Sequence, residues 1–248
     1  MKKVKLFCFP YAGGSASVYN KWKLFADEAV EIFPIELAGR GKRIREPFYE
    51  TVNDALKDML VLIDPYLDGA PYAFWGHSMG SLITFELYHA IIKNEKKEPV
   101  HLFVSGRYPP SVTGQSKILH NLPAEKFKYE IMNMGGTQNG IFENKELSDI
   151  FLPILKADYK LIEEYKYVER NGKINCRITA FTGKEDTLVT QDDMRQWEQH
   201  TSNKFELYEF NGGHFFINDH AGEIMEIINR KLKELLLFYG GESGQNAG

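Results

Sequence analysis

Six short apolar runs alternate along this chain with longer segments of helical period, and that alternation restricts the fold more than any other feature. Residues 4–9, 31–35, 72–75, 100–105, 175–182 and 204–210 have the length and the β-branched or aromatic content of strands. Residues 17–29, 51–67, 79–93, 191–200 and 220–237 read as helices. In 51–67, for example, Val52, Leu56, Met59, Leu60 and Ile63 recur at spacings of three and four, which makes a stripe that can face a core. Strands separated by helices imply an α/β class, with a mostly parallel central sheet flanked by helices on both faces. Right-handed crossovers then gather the loops that follow the strands at one carboxyl edge of the sheet.

The loop after the third run carries chemistry. Trp75-Gly76-His77-Ser78-Met79-Gly80 matches G-x-S-x-G, preceded by an apolar strand and followed at once by an amphipathic helix. A serine on so sharp a strand-to-helix turn projects its hydroxyl from the sheet. Gly76 and Gly80 leave room where a Cβ would collide. Met79 opens the helix, so its backbone N–H can donate to an oxyanion developing on a carbonyl attacked by Ser78. This arrangement resembles the nucleophile elbow of the α/β-hydrolase fold.

A serine nucleophile needs a base and an acid. Among seven histidines, His214 stands in Phe210-Asn211-Gly212-Gly213-His214, a glycine loop after the last strand from which an imidazole can reach back over the sheet edge. His77 adjoins the nucleophile but is expected to point elsewhere, because adjacent residues on an elbow diverge. The fold orders its triad Ser…Asp/Glu…His. Phe181-Thr182-Gly183-Lys184-Glu185-Asp186 supplies a strand, a glycine turn and an acid, with Asp186 preferred over its neighbour Glu185. Such an acid accepts the other ring N–H and fixes the tautomer. The alternative position, after the preceding strand, reads Ser105-Gly106-Arg107-Tyr108-Pro109 and holds no carboxylate. For a second oxyanion donor the loop after the first strand, Phe9-Pro10-Tyr11-Ala12-Gly13-Gly14, offers the N–H of Tyr11 or of Ala12.

Composition narrows the setting. With 43% hydrophobic and 26% charged residues over 248 positions, one α/β core is expected. A net charge of -4 gives no reason to expect nucleic acid or an anionic membrane as partner. The one early basic cluster is Arg40, Lys42, Arg43 and Arg45, which reads as a solvated loop. Cys8 and Cys176 lie in strand-like runs and read as free buried thiols, outside any zinc-type spacing. The basic start is followed by too short an apolar stretch for a signal peptide, and no run approaches a membrane span, so a cytoplasmic location is expected.

One connection is anomalous. Roughly 70 residues separate Ser105 from Asn175, against the usual few. Helical patterns at 123–134 and 146–167, with Gly135 and Gly136 as a joint, suggest a lid leaving and re-entering at the catalytic edge. Met132, Met134, Ile141 and Phe142 would either line a pocket beneath it or simply pack within it. The organisation expected is a core of residues 1–110 and 170–239, a helical lid of 111–169, and a disordered tail at 240–248.

A triad defines acyl transfer but leaves the leaving group open: ester, amide or thioester. The set Phe9-Pro10-Tyr11-Ala12-Gly13-Gly14, Gly76-His77-Ser78-Met79-Gly80 and Gly212-Gly213-His214-Phe215-Phe216 resembles the type II thioesterases of nonribosomal peptide and polyketide biosynthesis. Leu37-Ala38-Gly39-Arg40-Gly41 and Leu152-Pro153-Ile154-Leu155-Lys156-Ala157-Asp158-Tyr159 agree with it, except that Lys156 stands where the family usually has Arg. The resemblance spans nearly all of 4–237. It implies a stand-alone, monomeric serine thioesterase in antibiotic-type biosynthesis, with no cofactor of its own. Its substrate would be an acyl group, misloaded or stalled, on the 4′-phosphopantetheine arm of an acyl or peptidyl carrier protein. Ser78, His214 and Asp186 would be its triad, with Tyr11 and Met79 its oxyanion donors. A small-molecule carboxylesterase, or a binding module of hydrolase fold without catalysis, are the competing readings.

Overall fold

The computed structural model describes residues 3–112, 117–134 and 141–242, with side chains to residue 237. Six strands form one sheet in the order β2-β1-β3-β4-β5-β6: β1 (Val4–Phe9), β2 (Val30–Pro34), β3 (Tyr72–His77), β4 (His101–Ser105), β5 (Arg177–Gly183) and β6 (Phe205–Phe210). Every pairing is parallel. This is the α/β-hydrolase architecture expected. All six apolar runs are strands, displaced by at most two residues at either end.

Alternation along the strands builds two cores. From β1, Phe7 and Phe9 face the helices α1 (Val52–Ile63) and α2 (Met79–Lys93), while Val4, Leu6 and Cys8 face α6 (Ala221–Glu242). Cys8 and Cys176 are thus buried free thiols in different cores. Thr51 caps α1 by accepting the Asp54 N–H, and Pro65 falls in the 3₁₀ turn that ends it. The helix following the elbow is buried nearly all round, from Met79 to Tyr88, because α1 covers the side that the sheet does not.

The segment 17–29 is not an α-helix. It forms two 3₁₀ turns, Ala16–Tyr19 and Lys21–Leu24, which bury Tyr19 and Trp22 against Trp75. Two anchoring aromatics three residues apart satisfy a 3₁₀ turn as well as an α-helix, and no wider apolar face favours the latter. Likewise 191–200 splits into α5 (Gln191–Arg195) and a 3₁₀ turn, Gln196–His200. α6 continues to Glu242, so the first residues of the expected tail are helical and 243–248 lie outside the described residues.

The long insertion contains α3 (Ala124–Asn133) and α4 (Lys145–Glu164), whose inner faces meet in a small core of Leu119, Phe127, Ile131 and Leu155. Gly135 and Gly136 fall outside the described residues. Among the described residues no helix is long and apolar enough to cross a membrane.

At the start of β4, His101 is fully buried, stacked on Phe103 and hydrogen-bonded to the Thr179 hydroxyl at 2.8 Å. Burial pushes its pKa down to about 3. The unfolded chain therefore takes up a proton below about pH 6.5 that the folded one refuses, and stability falls as pH drops from 6.5 toward 3. Melting temperature against pH should show a shallower acid slope in His101→Gln than in the parent chain.

Candidate active site

Ser78 joins β3 to α2 with φ 53° and ψ -114°, a backbone conformation that non-glycine residues rarely adopt. The neighbours hold it there. Its N–H donates to Ser105 O at 2.7 Å, and its carbonyl accepts the Ser81 N–H at 2.9 Å. A Cβ on Gly76 would lie 2.1 Å from Gly80 O, and one on Gly80 would lie 2.2 Å from Phe9 O. Both glycines are therefore required for the strand and helix to approach so closely.

Ser81 has a part that nothing in its sequence setting signals. Its buried hydroxyl lies 2.9 Å from Gly76 O and from Ser105 O, and accepts the Ser105 N–H at 2.9 Å. It fastens the elbow to β4. In sequence it is one more small polar residue in a helix.

His214 extends from the glycine loop after β6, and its Nδ1 lies 2.7 Å from Asp186 Oδ2. A carboxylate only accepts, so Nδ1 carries a proton and, in the neutral ring, Nε2 is the nitrogen with the lone pair. Asp186 follows the Gly183 turn of β5. Its other oxygen accepts the N–H groups of Leu188 at 2.8 Å and Val189 at 3.3 Å, which fixes the carboxylate plane. Glu185 is turned away, and its carboxylate instead accepts the Gly212 N–H within the histidine loop.

His77 lies outside the cavity but beneath its histidine, with ring centroids 5.0 Å apart. Its Nδ1 is 2.8 Å from the Ser105 hydroxyl. Burial, reinforced by the neighbouring His214, pushes its pKa well down, so it is a neutral support. The expectation that it points elsewhere misses this contact.

A cavity of about 380 Å³ opens on Ser78 and His214. Tyr11 and Ala12 border it at the serine end, and Met79 starts the helix whose first N–H groups have no intrahelical acceptor. The insertion contributes Leu119, Met134, Tyr159 and Ile162 to the wall. Of the four lining candidates, only Met134 lines the cavity. Met132 is 56% exposed, and Phe142 packs on the insertion's own core. Tyr11 also braces Phe215 edge-on at 4.9 Å.

The basic cluster does not form a cationic face. Arg40 is buried on Asp158, and Arg43 pairs with Asp58 and Glu46, which leaves Lys42 and Arg45 exposed. Carboxylates distant in sequence had already claimed two of the four charges. Among the described residues, no group of three or more His, Cys, Asp or Glu could hold a metal ion.

An elbow serine, a histidine oriented by an acid, and a shared cavity define a hydrolase capable of acyl transfer. The chain belongs to the thioesterase domain family, which it matches over residues 4–232, and it is a hydrolase acting on thioesters. It is 36% identical to the gramicidin S biosynthesis protein GrsT of Aneurinibacillus migulanus, covering 94% of this chain and 91% of that one. Among solved structures it is similar to ClbQ from the colibactin NRPS/PKS pathway, with TM-score 0.91, 38% identity and coverage of 95% and 99%. The type II thioesterase BorB from the borrelidin biosynthetic cluster aligns with TM-score 0.84, 31% identity and 93% coverage of each chain.

Which acid orients His214 is open to a direct test. Asp186→Asn should lower kcat by about 10⁴-fold, the loss expected when the imidazole is held in the wrong tautomer. Glu185→Gln, which disturbs only the loop contact, should retain most activity. Steady-state kinetics on an acyl-thioester substrate would check both, and the opposite order would reassign the acid.

Proposed function

We propose that this chain is a type II thioesterase that frees the 4′-phosphopantetheine arm of carrier proteins from misloaded or stalled acyl groups during nonribosomal peptide or polyketide synthesis. The observation that carries this reading is one cavity lined by both Ser78 and His214, with Asp186 hydrogen-bonded to the imidazole, in a chain of the thioesterase family. The pathway context draws its support from the biosynthetic settings named for GrsT, ClbQ and BorB.

In this mechanism Nε2 of His214 takes the Ser78 proton as Oγ attacks the thioester carbon. The carbonyl π pair moves to oxygen, where the N–H of Met79 and that of Tyr11 or Ala12 stabilise the charge. Collapse expels the pantetheine sulfur. A thiol of pKa near ~8.5 needs little help in leaving, so the proton on His214 suffices. Water, deprotonated by His214, then attacks the acyl-serine; as the C–Oγ bond breaks, His214 returns that proton to Ser78 Oγ and the acid is released. Asp186 supports the imidazolium in both steps.

The insertion acts as the lid, because α3 and α4 wall the cavity that the acyl group must occupy. The carrier protein is the partner, and its arm enters as substrate. With Arg40 and Arg43 engaged internally, an acidic carrier has no four-charge patch at 40–45 to dock on.

Loading a carrier domain with acetyl, aminoacyl and longer acyl groups, and following release by intact mass, tests the proposal. The wild-type chain should regenerate the free thiol while Ser78→Ala releases nothing above background. A strong preference for p-nitrophenyl esters over carrier thioesters would instead favour a carboxylesterase. Failure of a fluorophosphonate to label Ser78 would favour a binding module.

A further inference from the structure

Two of the stretches that carry the family resemblance, 37–41 and 152–159, contain no triad residue, yet they meet. Arg40 and Asp158 form a bidentate ion pair, Nη1 to Oδ2 and Nη2 to Oδ1, both at 2.6 Å. The side chains are 3% and 1% exposed. The pair also grips a third segment. Asp158 Oδ2 accepts the Gly13 N–H at 2.7 Å, and Arg40 Nη1 donates to Gly14 O at 3.1 Å.

Gly13 belongs to the turn that borders the nucleophile. The Gly14 N–H donates to Tyr11 O at 2.8 Å, which closes a four-residue turn, and Gly13 at its third position has φ +78°. With Ala12 at negative φ, that sign at that position defines a type II turn. Types I and II differ by a flip of the central peptide, here Ala12 C=O and Gly13 N–H. Glycine alone does not decide between them, because it adopts either sign of φ readily. Asp158, reaching across from α4, accepts the N–H and so selects the type II orientation. The lid helix also closes on the turn from outside: a Cβ on Gly13 would lie 2.9 Å from Leu155 and from Phe151.

We propose that Asp158 and Arg40 are positioning residues that set the oxyanion loop from the lid helix, so that a seated lid and a competent loop are one state. The proposal rests on the thioesterase mechanism above, in which Tyr11 or Ala12 supplies an oxyanion donor. Removing the carboxylate frees the Ala12–Gly13 peptide to flip and releases the segment that carries both candidate donors. Asn at 158 goes further, since its amide can donate to the flipped Ala12 carbonyl.

Two variants test this. Asp158→Asn keeps the shape, and Arg40→Met with Asp158→Leu removes both charges, a replacement that buried pairs often tolerate without loss of stability. Each is first checked for a cooperative thermal transition, so that the double variant decides if the stranded guanidinium unfolds the single one. The expected result is a kcat lower by about 10²-fold, the scale of one lost oxyanion donor, with KM little changed. Affinity for an alkyl boronic acid, whose serine adduct is tetrahedral, should weaken in parallel. A merely structural lid contact would instead raise KM and leave kcat and boronate affinity alone, and that outcome overturns the proposal. Ser78→Ala separates the two levels. If it is inactive while the double variant keeps full kcat, only the positioning role fails. If Ser78→Ala keeps its activity, the mechanism itself fails.

Discussion

The site depends on a single unfavourable backbone conformation. A non-glycine residue held as Ser78 is costs about 1–3 kcal/mol and persists only where its surroundings over-determine it. Here the Ser78 N–H is tied to Ser105 O, the Ser81 hydroxyl ties β3 to β4, and two glycines let α2 press against the backbone of β3 and β1. None of these restraints belongs to the elbow alone. They require β1, β3 and β4 to be adjacent, which is what the parallel order 2-1-3-4-5-6 provides. The sheet is thus the device that stores the strain, and the serine hydroxyl projects where it is needed because of it.

Around that point the site is assembled from loops that share only an edge. Asp186, the proposed acid, follows β5, His214, the proposed base, follows β6, and the loop proposed to hold the second oxyanion donor follows β1, so each inherits its position from strand register. The insertion is tied on through charge. The pairs Arg40–Asp158 and Lys160–Glu50 link the insertion to the core. The exposed Glu50 contact contributes little, whereas breaking a buried pair on one side typically costs about 3–5 kcal/mol. The Arg40–Asp158 pair is therefore the link with leverage, and it is also the one that touches the loop beside the nucleophile.

Much of this was legible beforehand, for a definite reason. The four central strands are buried almost throughout and so read as apolar runs, while the edge strands β2 and β6 carry glutamates and are marked by their β-branched and aromatic residues instead. The elbow needs glycine on both sides of its serine, and the spacing of acid and histidine behind β5 and β6 follows chain order. Where the reading failed, the deciding contact was remote. Residues 17–29 have too few anchoring side chains for periodicity to distinguish a 3₁₀ turn from an α-helix. Arg40 looked like part of a solvated cluster because its carboxylate partner lies 118 residues away. His77 sits under His214 because β4 and the histidine loop close over it, which neighbour-by-neighbour geometry at an elbow does not convey.

The sequence by itself determined the class of fold and marked the elbow serine together with the residues proposed to serve it, because backbone sterics and hydrophobic period act over a few positions. Only the tertiary structure decided which of two adjacent acids faces His214, which insertion residues wall the cavity, and that a conspicuous arginine is an internal strut. Those outcomes rest on hydrogen bonds and ion pairs between segments distant in the chain. Such contacts are directional and short-ranged, and they leave no periodic trace in the residues that make them.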